Sequence, residues 1–379
     1  MIYLQMGILI LEIILCILLN NLLKNKLNKK IRYALCIALL LNCWNMRTYQ
    51  AMWAVHALFC LIVLLALFKK RKPILCIILS AIISTSIVTF GYVNMHTIHQ
   101  TTYNLKTEKN ITPTKICFIS DVHYPNANSP ERLKEITNTL IKVKPDFYLL
   151  GGDFVDESTS KEDMNVLFKQ LGRLTKIAPV YFVYGNHENK TKFTRKKLNQ
   201  EITKNNITIL NDQEVHLNNI ILIGRQDYTN LNRKITKDYH LTNKTYNIVL
   251  DHQPQGTREN IKSNVDLQLS GHTHNGQMFP LSYSYHLQPD FAGNYGKETF
   301  KNYTKIISSG LVGWGFPIRT EGICEYVVVN VTPKKQQYFF FIFNSNNTNK
   351  ITARTIIRIF ARKEMSNNTN KLSPQEPWK

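Results

Sequence analysis

A chain of 379 residues with 47 Lys/Arg, 26 Asp/Glu and a net charge of +21 is long enough for one sizeable domain and an appendage. Its seven cysteines contain no CxxC spacing, and Cys16, Cys36, Cys43, Cys60 and Cys76 lie in apolar runs, which indicates neither a disulfide framework nor a cysteine zinc site and leaves Cys117 and Cys324, read as two buried thiols in strands with a bridge between them the alternative. The basic residues are dispersed among Asn and Thr without a recognition motif, which argues against a specific nucleic-acid partner and for attraction to anionic lipid headgroups.

Residues 1–93 read as a transmembrane region of about four helices, with Glu12 the one acidic residue among ten basic ones. Ile2 to Leu23 is apolar over a spanning length and has no basic n-region or small-residue cleavage site, so it reads as a span rather than a signal peptide. Tyr33 to Trp44 is short and spans only by snorkelling of Arg47 or thinning of the bilayer, whereas Ala51 to Phe68 and Ile74 to Val93 are long enough alone. Two basic clusters, Lys24 to Arg32 and Lys69 to Lys72, belong on the cytoplasmic side, which sends the chain after the last span out of the cytoplasm. The expected localisation is an inner or plasma membrane with the following domain extracytoplasmic. Glu12 and His56, within spans, read as helix-helix hydrogen-bonding or lumen-facing groups.

Residues 94–110 read as a polar linker, 111–332 as a globular domain and 333–379 as a basic, partly amphipathic or disordered tail, with a basic interfacial helix at Ile351 to Lys363. Within the domain, short β-rich runs alternate with helical segments. The strand candidates are 116–119, 147–150, 180–183, 207–210, 220–223, 248–250, 267–269, 305–308 and 326–331, with helices at 130–143, 164–174 and 196–202. This alternation predicts an α/β domain with its site past the C-terminal ends of the strands.

Five apolar runs end in metal-competent residues: Asp121-Val122-His123, Gly152-Asp153, Gly185-Asn186-His187, Asp251-His252 and Gly271-His272-Thr273-His274. On an extended or turning backbone residues i and i+2 share a side, so His272 and His274 point into one cleft. Any one fragment alone is an ordinary strand-end turn or core histidine; five in order after five strands are not. The donor set lacks cysteine and suits borderline first-row metals such as Mn, Fe or Zn. Seven side chains exceed one tetrahedral ion and suit two divalent ions sharing a carboxylate bridge.

Read together, Asp121-Val122-His123, Gly152-Asp153-Phe154-Val155-Asp156, Gly185-Asn186-His187-Glu188, His252 and Gly271-His272-Thr273-His274 resemble the DxH, GDxxD, GNH(D/E), H and GHxH pattern of the calcineurin-like metallophosphoesterase superfamily. The membrane spans, His252-Gln253-Pro254, Gly276-Gln277 and Ser309 to Gly315 look like a membrane-anchored branch related to UDP-2,3-diacylglucosamine pyrophosphatases. The resemblance implies a four-layer αββα sandwich and two metal ions. Asp121, His123, Asp153 and His274 would hold the first, and Asp153, Asn186, His252 and His272 the second. It further implies that His187 is catalytic, that a hydroxide shared by the ions attacks phosphorus, and that a phosphodiester or pyrophosphate, membrane-associated or lipid-linked, is hydrolysed. A phosphomonoesterase or phosphoprotein phosphatase on the same site is the enzyme alternative, and a non-catalytic binding protein for phosphorylated ligands the other.

Asp156 and Glu188 read as groups that orient a backbone or an imidazole rather than ligands. His96, His99, His216, His240 and His286 read as surface residues. The glycines from Gly310 to Gly315 let a backbone loop approach the cleft, with Trp314 or Arg319 available to substrate.

Overall fold

The computed structural model describes residues 2–40, 48–69, 71–126, 128–285, 287 and 292–334. The amphipathic helix expected at Ile351 to Lys363, the rest of the tail, Cys43 and His286 lie outside the described residues.

Four helices open the chain: α1 (Ile2–Leu22), α2 (Lys29–Leu40), α3 (Tyr49–Leu67) and α4 (Pro73–His96). They fall on the four expected apolar stretches, the second described only as far as Leu40. Thr48 caps α3 by accepting from the Ala51 N–H, and Pro73 opens α4, where its missing N–H costs nothing. Of the four, α3 and α4 are long and apolar enough to cross a bilayer by the criterion of length and composition.

The chain then continues through β1 (Ile98–Thr107), β2 (Thr114–Ile119), α5 (Pro130–Val143), β3 (Phe147–Leu150), α6 (Lys161–Leu171), β4 (Val180–Phe182), α7 (Arg195–Lys204), β5 (Thr208–Ile209), β6 (Gln213–Leu217) and β7 (Ile220–Gly224). After these come β8 (Tyr246–Leu250), α8 (Thr257–Lys262), β9 (Leu267–Ser270), α9 (Ser282–Tyr285), β10 (Gly296–Phe300), β11 (Tyr303–Ile307) and β12 (Cys324–Pro333). Two six-stranded sheets result, ordered β1-β12-β2-β3-β4-β5 and β10-β11-β9-β8-β7-β6. Phe118, Leu149 and Tyr181 of the first meet Leu222, Ile248 and Leu269 of the second in one apolar core, and Leu133, Leu140, Leu167 and Phe168 cover the first sheet's other face. The layering agrees with the expected sandwich.

The residues from 98 to 107 correct the sequence reading. This stretch is not a linker but a ten-residue edge strand, parallel to β12 and in register from Ile98 opposite Cys324 to Thr107 opposite Pro333. Its half-buried face is supplied by Thr101, Tyr103 and Leu105, so its period of two is written largely in polar letters. Strands β6 and β10 were hidden for the same reason: exposed hairpin partners of β7 and β11, they carry Gln, Glu, Lys and Thr. The helix expected from 164 begins at Lys161 because Ser160 and Asp163 form a reciprocal capping box, and its last turn tightens into a 3-10 helix over Gly172–Lys176. Cys117 and Cys324 are both buried and free.

Strands β2, β3 and β4 run parallel, as do β8 and β9. Their C-terminal ends feed five loops, and all candidate ligands are on these loops.

Candidate metal centre

Backbone geometry aims the side chains. Asp121, His123, Asp153, His272 and His274 all have positive φ, between 45° and 73°, a conformation that non-glycine residues adopt only where the surrounding structure enforces it. The enforcement is visible. The N–H groups of Asp121, Val122 and His123 donate to the carbonyls of Gly152 and Asp153, and Leu311 and Val312 donate to those of Ser120 and Asp121. Glu188, 2% exposed, accepts from the N–H groups of Asp153 (2.9 Å), Phe154 (2.7 Å), Val155 (3.3 Å) and Gly185 (2.7 Å). It clamps one candidate-ligand loop to another, the orienting role its position predicted.

Two clusters of ligand atoms form, Asp121 with His123 and His274, and Asp153 with His252 and His272, each with its atoms within 4.8 Å of one another. Asn186 joins the second, its Oδ1 3.2 Å from His252 Nε2. The clusters meet at Asp153, whose Oδ2 lies 3.0 Å from His252 Nε2 and 3.7 Å from His123 Nε2. All seven residues proposed from the sequence therefore converge. Asp251 does not: it turns away and pairs with Arg233 at 2.5 Å and Arg225 at 3.8 Å.

The donor set fits divalent cations. Among the described residues, Nε2 of His123 and Nδ1 of His274 are buried without a hydrogen-bond partner, which is costly for a polar group unless a cation takes the lone pair. The cluster's electrostatics agree. Burial opposes charge on Asp153, but His252 and His123 outweigh it and hold the carboxyl well below its usual range. Burial, then the positive charge of His252, pushes His272 down to about 4, and burial, then the charge of His123, holds His274 well below its usual range, so both are neutral imidazoles, the form that binds metal. His252 goes the other way, to about 10, because Asp153 overcomes its burial; this is the pairing a cation between them would replace. His252 Nδ1 also lies 2.8 Å from the Gly151 carbonyl, which fixes the ring and leaves Nε2 facing the cleft.

His187 stands apart from both clusters. Its N–H donates to Asp153 Oδ1 at 2.8 Å, its ring is 4.9 Å from those of His123 and Trp314, and its Nδ1 is 3.0 Å from Glu157 Oε2. Glu157 was missed in the sequence. It is the residue after the GDxxD fragment, and its only signal was that a second carboxylate follows Asp156. Asp156 faces His123 instead, Oδ2 to Nδ1 at 3.4 Å.

The glycine loop approaches as expected: a Cβ at Gly310 would stand 2.7 Å from that of Asp121. Trp314 borders His187. Arg319 is a correction, since it is fully buried and donates to the carbonyls of His274 (2.7 Å), Ser309 (2.9 Å) and Val312 (2.8 Å), holding the loop rather than meeting a substrate. Among the remaining histidines, His99, His216 and His240 are exposed and His96 is half-buried.

A two-sheet α/β sandwich with paired Asp/His clusters at its strand ends defines a class, and comparison with known proteins specifies it. Residues 114–276 match the model of the calcineurin-like phosphoesterase family. A metallophosphoesterase of Aquifex aeolicus is 30% identical over 246 residues, covering 61% of this chain and 91% of that protein. The chain belongs to this family. A Helicobacter pylori metallophosphoesterase is 33% identical over 230 residues, covering 59% of this chain, and the chain spans 60% of that relative's length. A Bos taurus protein named as a transmembrane protein with a metallophosphoesterase domain is 26% identical, covering 67% of this chain and 62% of its own.

Proposed function

We propose that the chain is a phosphoric ester hydrolase dependent on two divalent ions, cleaving a phosphodiester or pyrophosphate bond in a membrane-associated molecule. The observation that carries this reading is Asp153 Oδ2, which stands between His252 Nε2 at 3.0 Å and His123 Nε2 at 3.7 Å and so makes one carboxylate common to two ligand sets. Asp121, His123 and His274 would hold one ion, Asn186, His252 and His272 the other, and Asp153 both. Bound there, such ions would supply Lewis acidity toward phosphoryl oxygens and acidify water, whose pKa falls toward about 7 on a metal.

The chain's own residues do the rest. With Nδ1 engaged by Glu157, His187 has Nε2 left to hand a proton to the leaving oxygen. The indole of Trp314, centred 4.9 Å away, packs against the imidazole and limits its rotation. Asn186, a neutral ligand, leaves the site enough positive charge to draw a phosphate.

Two apolar helices and the name of the bovine relative support membrane attachment. Helices α3 and α4 are antiparallel neighbours, so Lys69, Arg71 and Lys72 lie at the end of the pair away from the globular domain. By the positive-inside rule that end is cytoplasmic and the domain is outside.

The test is an assay of the full-length protein in detergent with Mn, on an aryl phosphodiester and an aryl phosphomonoester, beside Asp153→Asn. Diester turnover abolished in the variant is the expected result. Faster monoester turnover would favour the phosphatase alternative, and metal-loaded protein inert to both would contradict hydrolysis.

A further inference from the structure

The helix pair and the metal centre share a wall. Met278, four residues past His274, packs with Ile318 against Ala51 and Met52 in the first turn of α3, with Val55, Val88 and Phe316 around them. The Arg319 N–H donates to the Gly91 carbonyl of α4 at 3.0 Å, and Asn94 Nδ2 donates to the carbonyls of Arg319 (3.1 Å) and Gly322 (2.8 Å). Because the Arg319 guanidinium also donates to the His274 carbonyl, one residue links the last turns of α4 to a candidate ligand. At this level Tyr49 and Tyr92 pack edge to face 5.5 Å apart, the kind of aromatic pair that marks a headgroup region.

Beyond Met278 the chain turns outward and exposes large apolar groups: Phe279 (65% exposed), Tyr283 (64%) and Leu287 (85%). The turn is anchored. The Phe279 N–H donates to Thr320 Oγ1 at 3.0 Å, and Thr320 Cγ2 is 3.2 Å from where a Cβ on Gly91 would be. The Ser282 N–H donates to Glu321 Oε2 at 3.2 Å, and the Phe279 and Tyr283 rings meet edge to face at 6.4 Å. An anchored turn that holds aromatic and aliphatic side chains outward beside a spanning helix marks contact with lipid.

We propose that Met278 to Tyr285, with Leu287, form a membrane-inserting lip, with Phe279, Tyr283 and Leu287 entering the leaflet from which α4 emerges and setting the metal centre at the headgroup plane. The inference rests on reading α3 and α4 as spans. The lip continues their lipid-facing surface, where Phe90 (58%) and Val93 (54%) are similarly exposed. The substrate class follows from this placement: a phosphate ester whose lipid anchor stays in that leaflet while the ester reaches the cleft.

The experiment uses the unaltered full chain in phosphatidylcholine vesicles doped with a phosphatidylcholine carrying a diazirine on its acyl chain. After photolysis, adducts are mapped by peptide mass spectrometry. Adducts in 279–287 at least about tenfold above those in the β10–β11 hairpin, with labelling of Ile78 and Ile82 on α4, are the expected result. A lip as unlabelled as the hairpin overturns the proposal, and so does an unlabelled α4. Diester turnover on the same vesicles separates the two readings. Turnover without lip adducts removes the lip and leaves the hydrolase, and adducts without turnover do the reverse.

Discussion

Glu157 Oε2 stands 3.0 Å from Nδ1 of His187, linking the loop after β3 to the loop after β4. The pair fixes which face of the imidazole meets the cleft. Glu157→Gln should therefore lower kcat by about 10- to 100-fold with little change in KM. Metal content, measured by plasma mass spectrometry, should stay at the unaltered protein's level. Loss of metal in this variant would place Glu157 in ion binding instead.

The same contact has a pH signature. The hydrogen bond with His187 holds the Glu157 carboxyl below its usual range. A carboxyl with a lowered folded pKa adds stability above its unfolded value, about 4.3, and that stability is lost as pH falls through the folded pKa. The thermal midpoint of the unaltered protein should exceed that of Glu157→Gln near about pH 6, with the gap closing toward about pH 3. A gap that widens on acidification would contradict the pairing.

Glu188 is the clamp between loops. Replacing it with Gln turns one acceptor oxygen into a donor facing backbone N–H groups, which costs about 1–3 kcal/mol. Chemical denaturation should show that loss of stability, and equilibrium dialysis should show weaker metal retention, because the Asp153 loop is no longer held. Unchanged stability would mean that the four N–H groups find other partners.

Gly271 has no room for a side chain: a Cβ there would lie 2.1 Å from Asp121 Oδ2. Gly271→Ala should displace Asp121 and reduce activity by more than about tenfold while the far-ultraviolet circular dichroism is retained. Gly7→Ala, where no atom of the described residues lies within 4 Å, should leave activity unchanged.

The sequence made the site more legible than the sheet edges. Asp121, Asp153, Asn186, His252 and His274 each follow a strand buried on both faces, such as the run Phe147–Leu150, whose continuous apolar letters need no partner to be recognised. Helix α5 was equally plain, since Ser129, Pro130 and the spacing of Leu133, Ile136 and Leu140 state its start and its buried face. Strand β1 was not, because Thr101 and Tyr103 become an inward face only once β12, more than two hundred residues later, lies beside them. Glu157 and Arg319 were opaque for a related reason: their partners, His187 and the carbonyls around His274, come from loops that only the folded sandwich brings together.

Asp153 is proposed to serve both ions and His187 neither. Metal stoichiometry of full-length Asp153→Asn and His187→Ala, each loaded with Mn and freed of excess, tests it most directly. The expected result is about two ions per chain in His187→Ala with turnover reduced by at least about a hundredfold, and fewer than one in Asp153→Asn. Equal metal loss in both variants, or full occupancy in Asp153→Asn, would contradict it.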